Sequence, residues 1–168
     1  MKTEVPDDAV IAATVAKLSA ALLARGWTMA AAESCTGGWI AKCCTDRAGS
    51  SAWFERGFVS YSDAAKHDSL GVDAQVLQFA GAVSEAVVCE MTAGALEKGN
   101  GNLAVAVSGI AGPGGGTHFK PLGTVWIAWQ QAGSEVRSAH YRLDGDRYAV
   151  RFQAVEAALQ GLIELVRG

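Results

Sequence analysis

Charge is scarce in this chain of 168 residues: 18% are Asp, Glu, Lys or Arg, and the formal net charge is −3. No basic stripe runs along it, which argues against nucleic acid as the main partner. No apolar stretch reaches the roughly 18 residues of a membrane span, so no membrane association is expected. The first ten residues include Glu4, Asp7 and Asp8, a pattern unlike a signal peptide. The four cysteines, Cys35, Cys43, Cys44 and Cys89, form no Cys-x-x-Cys pair and have no histidine at zinc spacing. This predicts no metal site and reduced thiols, with Cys43, Cys44 and Cys89 as small core or helix-face residues, and a cytoplasmic protein.

What is present is hydrophobic: half of the residues are apolar, and there are 20 glycines. The length suits one domain over residues 1–168, with residues 1–6 flexible. Ile11, Val15, Leu18 and Leu22 recur at helical spacing and predict a helix from about Asp7 to Arg25, stopped by Gly26. A strand over Thr28 to Ala32 and a helix over Gly38 to Asp46 follow. Phe58 to Tyr61 reads as a second strand that gives way to the polar run Ser62 to Lys66. Ser84 is placed to cap a helix carrying Val87, Val88 and Met91, with Gly99 just past its end. Leu103 to Val107 is an unbroken apolar run, as in a strand buried on both faces. Strands over Gly123 to Trp129 and Glu135 to Tyr141 come next, then a helix from about Asp146 with Phe152, Val155, Leu159 and Leu162 on one face. Helices and strands that alternate early and pair late predict an α/β fold, a three-layer α/β/α sandwich with a mixed central sheet.

The richest segment chemically is Ala32-Glu33-Ser34-Cys35-Thr36-Gly37-Gly38, between a strand and a helix. Such a turn leaves backbone N–H groups free at the helix N-terminus, suited to an anion or a developing oxyanion. Ser34 is then either a nucleophile or a helix cap, a job Thr36 could share. An alcohol needs a base, and Tyr61 and Lys66, just past a strand end, are placed to supply one, because a desolvated lysine loses its proton readily. Cys35 is the rival nucleophile, since a helix N-terminus favours a thiolate. Familiar alternatives are missing. Gly37 holds the lysine position of a Ser-x-x-Lys pattern, no Gly-x-Ser-x-Gly elbow accompanies His67, His118 or His140, and the glycine-rich loop after Ser108 lacks a P-loop ending. Arg147 and Arg151, four apart at the start of the last helix, form either an anion clamp or ion pairs with Asp144 and Asp146. Trp53, Trp126 and Trp129 read as core or interface residues, and five tryptophans with much apolar surface predict a homo-oligomer, a dimer or larger.

Six motifs in order resemble one family. They are Ala32 to Gly38, Gly49-Ser50-Ser51, Tyr61-Ser62 with Lys66, Gly81 to Glu85, Ser108 to Pro113 and Lys120 to Val125. Over about Val10 to Val166 the chain resembles the CinA C-terminal domain, a family that includes stand-alone nicotinamide-nucleotide amidases and larger proteins with an additional N-terminal domain. The resemblance implies hydrolysis of the carboxamide of nicotinamide mononucleotide to nicotinic acid mononucleotide and ammonia, in pyridine-nucleotide salvage. It implies no cofactor and a pyridine nucleotide as the small-molecule partner. The family's catalytic serine, tyrosine and lysine fall on Ser34, Tyr61 and Lys66. Thr36, Gly37, Gly38, Ser108, Gly109, Gly112, Arg147 and Arg151 are then the expected substrate contacts, with the Gly37-Gly38 N–H groups as oxyanion donors. In two places the chain departs from many members: Asp63 stands where they have asparagine, and Ser108 where they have threonine. A non-catalytic nucleotide-binding or regulatory module is the competing expectation.

Overall fold

The computed structural model describes residues 7–168, so the flexibility expected of residues 1–6 lies outside the described residues. Helix α1 (Asp7–Arg25) buries Ile11, Val15, Leu18 and Leu22 on one stripe, and Gly26 at φ 64° ends it. There follow β1 (Met29–Glu33), α2 (Trp39–Asp46), β2 (Phe54–Val59), α3 (Asp63–Leu70), α4 (Ala74–Ala80) and α5 (Glu85–Gly99). Then come β3 (Leu103–Gly109), β4 (Thr124–Gln131), β5 (Arg137–Arg142) and α6 (Arg147–Arg167). The sheet runs β2-β1-β3-β4-β5, with β1 parallel to β2 and β3, and β4 antiparallel to β3 and β5. Helices α1, α2 and α6 pack on one face against Ala31, Val105, Val107 and Ile127. Helices α3, α4 and α5 cover the other against Ala30, Ala32, Ala104, Ala106 and Ala128. This is the expected α/β/α sandwich with a mixed sheet. Among the described residues no helix is long and apolar enough to cross a membrane.

Three local expectations change. Strand β2 begins at Phe54 and ends before Tyr61, because its ladder with β1, not its hydropathy, sets its length. It is an edge strand, so Glu55 and Arg56 keep strand geometry with their side chains in solvent. The polar run after Tyr61 opens helix α3, capped by the Ser62 hydroxyl, which accepts the Ala65 N–H at 3.0 Å. Helix α4 likewise starts from an Asp73 cap. Gly99 lies inside α5, and Asn100 takes the left-handed position at φ 50°. A Cβ on Gly99 would stand 2.9 Å from the Ala30 methyl, so this glycine serves close packing and not helix termination.

The tryptophans belong to the fold itself. Trp53 and Trp129 are buried, and Trp27, Trp39 and Trp126 pack against the two cores. The rings that face solvent include Phe79 and Phe119, with Tyr61 and Tyr148 about half exposed.

Alanines on one sheet face let α5 approach closely, and Gly94 completes the fit: a Cβ there would lie 1.9 Å from the Leu70 carbonyl oxygen. Helix propensity favours Gly94→Ala by about 1 kcal/mol. A clash with backbone outweighs it, because overpacking costs about 1–3 kcal/mol or more when the neighbour cannot rotate away. Gly94→Ala is therefore expected to lower the urea midpoint by a net loss of about 1–2 kcal/mol. An unchanged midpoint would mean that α3 and α5 part freely.

Candidate active site

The parallel strands β1, β2 and β3 end together. Glu33 pairs with Val59 on one side and Val107 on the other, so the residues that follow are brought to one edge. The Ser34 N–H donates to the Val107 carbonyl at 3.0 Å, and the Ser60 N–H to the Glu33 carbonyl at 2.9 Å. This register carries Ser34, Tyr61 and Ser108 to a shared cavity of about 210 Å³, also lined by Cys35, Lys66, Ala82, Val83, Gly109, Ala111 and Arg147.

Lys66, in the first turns of α3, is 1% exposed, and its Nζ lies 3.0 Å from Ser34 Oγ. The same amine donates to the Tyr61 carbonyl at 2.8 Å. No carboxylate is within ion-pair distance of it among the described residues. Burial holds Lys66 below its ordinary pKa of 10.5, and the charge of Asp63, one turn earlier, pulls the other way. The acid at position 63, where many relatives have asparagine, therefore opposes deprotonation, but burial outweighs it.

Ser34 is not a helix cap. The N-cap position of α2 is Gly38, at φ 95° and with no side-chain cap. The expected anion site at that helix end is also filled: the Glu33 carboxylate accepts the Ile40 N–H at 2.8 Å and the Ala41 N–H at 3.0 Å. The Gly37 N–H donates to the Ser34 carbonyl at 3.0 Å. Of the N–H groups expected to meet an oxyanion, that of Gly37 is thus drawn into the turn itself, and that of Gly38 serves the Glu33 carboxylate. Those of Cys35 and Thr36 make no hydrogen bond among the described residues.

The two arginines differ. Arg151 donates to the Cys35 and Thr36 carbonyls, each at 3.0 Å, and its guanidinium lies 5.3 Å from the centre of the Trp39 ring. It staples the turn from behind and does not line the Ser34 cavity. Arg147 does line it, donating to the Gly112 carbonyl at 2.8 Å and to the exposed Tyr61 hydroxyl at 3.3 Å. Neither arginine pairs with Asp144 or Asp146; Asp146 instead caps α6 through the Ala149 N–H. Ser108 is buried and donates to the Ala82 carbonyl at 2.8 Å, pinning the Gly81–Ser84 segment to the cavity wall. Gly109 leaves room for Val125, whose Cγ2 would lie 2.6 Å from a Cβ. Gly112, at φ 81°, presents its carbonyl to Arg147. Burial pushes the Cys35 thiol up to about 11, which removes the advantage expected of a thiolate at this turn. Lys120, quoted in the sequence only as part of a motif, ties the glycine loop to α4 by donating to the Ala80 carbonyl at 2.7 Å.

Residues 11–166 match the CinA C-terminal domain. The chain is 55% identical over 144 residues to the nicotinamide-nucleotide amidohydrolase PncC of Enterobacter agglomerans, covering 86% of this chain and 88% of that protein. It is 56% identical over 142 residues to the protein of the same name from Escherichia coli strain K12, covering 84% and 86%. Its fold superposes on the crystal structure of competence/damage inducible protein CihA from Agrobacterium tumefaciens with a TM-score of 0.91, at 41% identity and 98% and 99% coverage.

Because Lys66 titrates below 10.5 in the folded chain, the unfolded chain binds more protons between those two values, and stability rises with pH there. Lys66→Met lacks that term. The Tm of the parent chain minus that of Lys66→Met is therefore expected to grow from pH 7 to pH 10, measured by thermal melts at about one-unit steps. Parallel pH curves would mean that the amine is charged where it sits.

Proposed function

The chain belongs to the CinA C-terminal domain family, and on that premise we propose that it hydrolyses the carboxamide of nicotinamide mononucleotide through an acyl-enzyme on Ser34. The observation that carries this reading is a buried amine without a counter-ion, 3.0 Å from a serine hydroxyl. A neutral amine has one lone pair and two N–H groups. One N–H is held by the Tyr61 carbonyl, which turns the lone pair toward Ser34. Lys66 takes the hydroxyl proton directly as Ser34 Oγ attacks the carboxamide carbon. The N–H groups of Cys35 and Thr36 replace those of Gly37 and Gly38 as oxyanion donors, each worth about 3 kcal/mol by analogy with known sites. Protonated Lys66 returns its proton to the departing nitrogen, and ammonia leaves. Water, deprotonated by the same amine, then cleaves the ester and restores Ser34. The product is the nicotinic acid nucleotide, as a salvage route for the pyridine ring requires.

The Tyr61 side chain takes a lesser part than the sequence suggested. Its carbonyl orients Lys66, while its hydroxyl stands at the rim with Arg147. Arg147 is the cation we assign to the substrate phosphate, and Gly112 and the buried Ser108 shape the wall on which the ribose rests. The relatives named as nicotinamide-nucleotide amidohydrolases support the substrate class.

Incubation with nicotinamide mononucleotide is expected to release ammonia, read by a coupled glutamate dehydrogenase assay. Ser34→Ala and Lys66→Met should each lower the rate by about a thousandfold or more, and Cys35→Ala should stay within about fivefold. Nucleotide binding without ammonia would replace the enzyme by a regulatory module. Retained activity in Ser34→Ala with loss in Cys35→Ala would move the nucleophile to the thiol.

Since the neutral amine is the active form, kcat/KM should fall as pH drops through the lowered Lys66 pKa. Asp63→Asn removes the charge that raises this value, so the acid limb is expected to move to lower pH. A limb that does not move would separate Asp63 from the base.

A further inference from the structure

Resting on the Ser34 reading above, we infer that Glu33 is a positioning residue for the nucleophile: its buried carboxylate ties the first turn of α2 back to the strand end that carries Ser34. Strand β1 is otherwise all apolar, Met29-Ala30-Ala31-Ala32, and an acid in its fifth and fully buried position has no packing rationale. The carboxylate accepts the N–H groups of Ile40 and Ala41 at 2.8 and 3.0 Å. Those donors are left over because Gly38, with no side chain, cannot cap α2. The acid seven residues upstream does that work, and charge and helix dipole favour it there.

The contact closes a ring. The Glu33 backbone is held by β2 and β3, its side chain holds α2, and the intervening Ser34–Gly38 turn has its ends fixed. Arg151 adds a second constraint on the outer side through the Cys35 and Thr36 carbonyls. Between these two grips lies the short segment whose Oγ must meet Lys66 Nζ and whose N–H groups must meet the oxyanion. Glu33 hydrogen-bonds to neither Lys66 nor the cavity, so it acts through the place it gives Ser34.

The test uses the full chain and phenylmethanesulfonyl fluoride, a small serine-directed reagent that needs no nucleotide contacts, with sulfonylation of Ser34 followed by mass spectrometry. Ammonia release from nicotinamide mononucleotide is measured beside it. Glu33→Gln sets an amide NH₂ against one of the two N–H groups, and Glu33→Asp is one methylene too short to reach both. Each is expected to slow sulfonylation and kcat together by about tenfold to a hundredfold, the scale of a 1 Å misplacement. KM should stay within twofold, and the acid limb should not move. Far-UV circular dichroism establishes that each variant is folded. Sulfonylation and kcat within twofold of the parent, or a loss confined to KM, overturns the inference. So does failure of both variants to fold, which would make Glu33 a requirement of the whole domain. A parent chain that is sulfonylated at Ser34 and releases no ammonia overturns the substrate reading alone, and the sulfonylation rates then decide the role of Glu33. A parent that releases ammonia without being sulfonylated leaves kcat to decide it. A parent that does neither overturns both.

Discussion

The site depends on an amine kept out of water. Lys66 has a serine hydroxyl and a backbone carbonyl for company and no acid in contact, so the fold carries a group that would be better solvated elsewhere. Desolvation of a charge is expensive, and burial pulls the Lys66 pKa down. On the other side of the Ser34 turn sits a second buried ionisable group, Glu33, whose pKa burial pushes up. The two are treated in opposite ways. Glu33 receives N–H donors at a helix end, which support its anion against burial; Lys66 receives acceptors and the charge of Asp63, which support its ammonium against burial. One strand-to-helix turn thus separates an acid and an amine that burial drives toward their neutral forms from opposite directions.

The sheet makes this arrangement possible. Parallel pairing of β1 with β2 and β3 brings three strand ends to one edge, where backbone is free to turn. The register then fixes Ser34 against Val107 and Ser60 against Glu33, so Ser34 and the residue next to the Tyr61 carbonyl are held by backbone hydrogen bonds between strand ends. The antiparallel half of the sheet, β4 and β5, supplies the neighbour that makes a glycine necessary at position 109. Rigidity at the strand ends and openness at the rim have the same origin.

Much of this was legible in the residues. Ile11, Val15, Leu18 and Leu22 marked α1, the run Leu103–Val107 marked a doubly covered strand, and the change from alternating to paired elements gave the sandwich. Ser34, Tyr61 and Ser108 could be grouped because each segment sits where an apolar strand gives way to a polar or glycine-rich turn. What escaped was decided by tertiary pairing. The start of β2 depends on its ladder with β1, since Glu55-Arg56-Gly57 has no hydropathy to announce a strand. The short helices α3 and α4 depend on their Ser62 and Asp73 caps, too few residues for periodicity to register. Glu33 read as part of the turn after a strand ending at Ala32; its place inside β1 and the N–H groups it reaches depend on pairing and on how the chain folds back seven residues later.

Arg147 and Arg151 show most clearly where sequence stops informing. They are of one type, one turn apart, at the same helix end, and nothing in their spacing tells them apart. The structure separates them by what lies within reach. Arg151 meets two carbonyls of the Ser34 turn, and a hydrogen bond from a charged donor contributes about 1.5–3 kcal/mol. Releasing it toward a phosphate would lose those bonds and loosen the turn that carries Ser34. Arg147 keeps one firm bond to Gly112 and a longer one to an exposed phenol, where water competes. A phosphate at the cavity mouth displaces only that weaker contact. The guanidinium that remains available is therefore the one at position 147, and the one at 151 serves the turn.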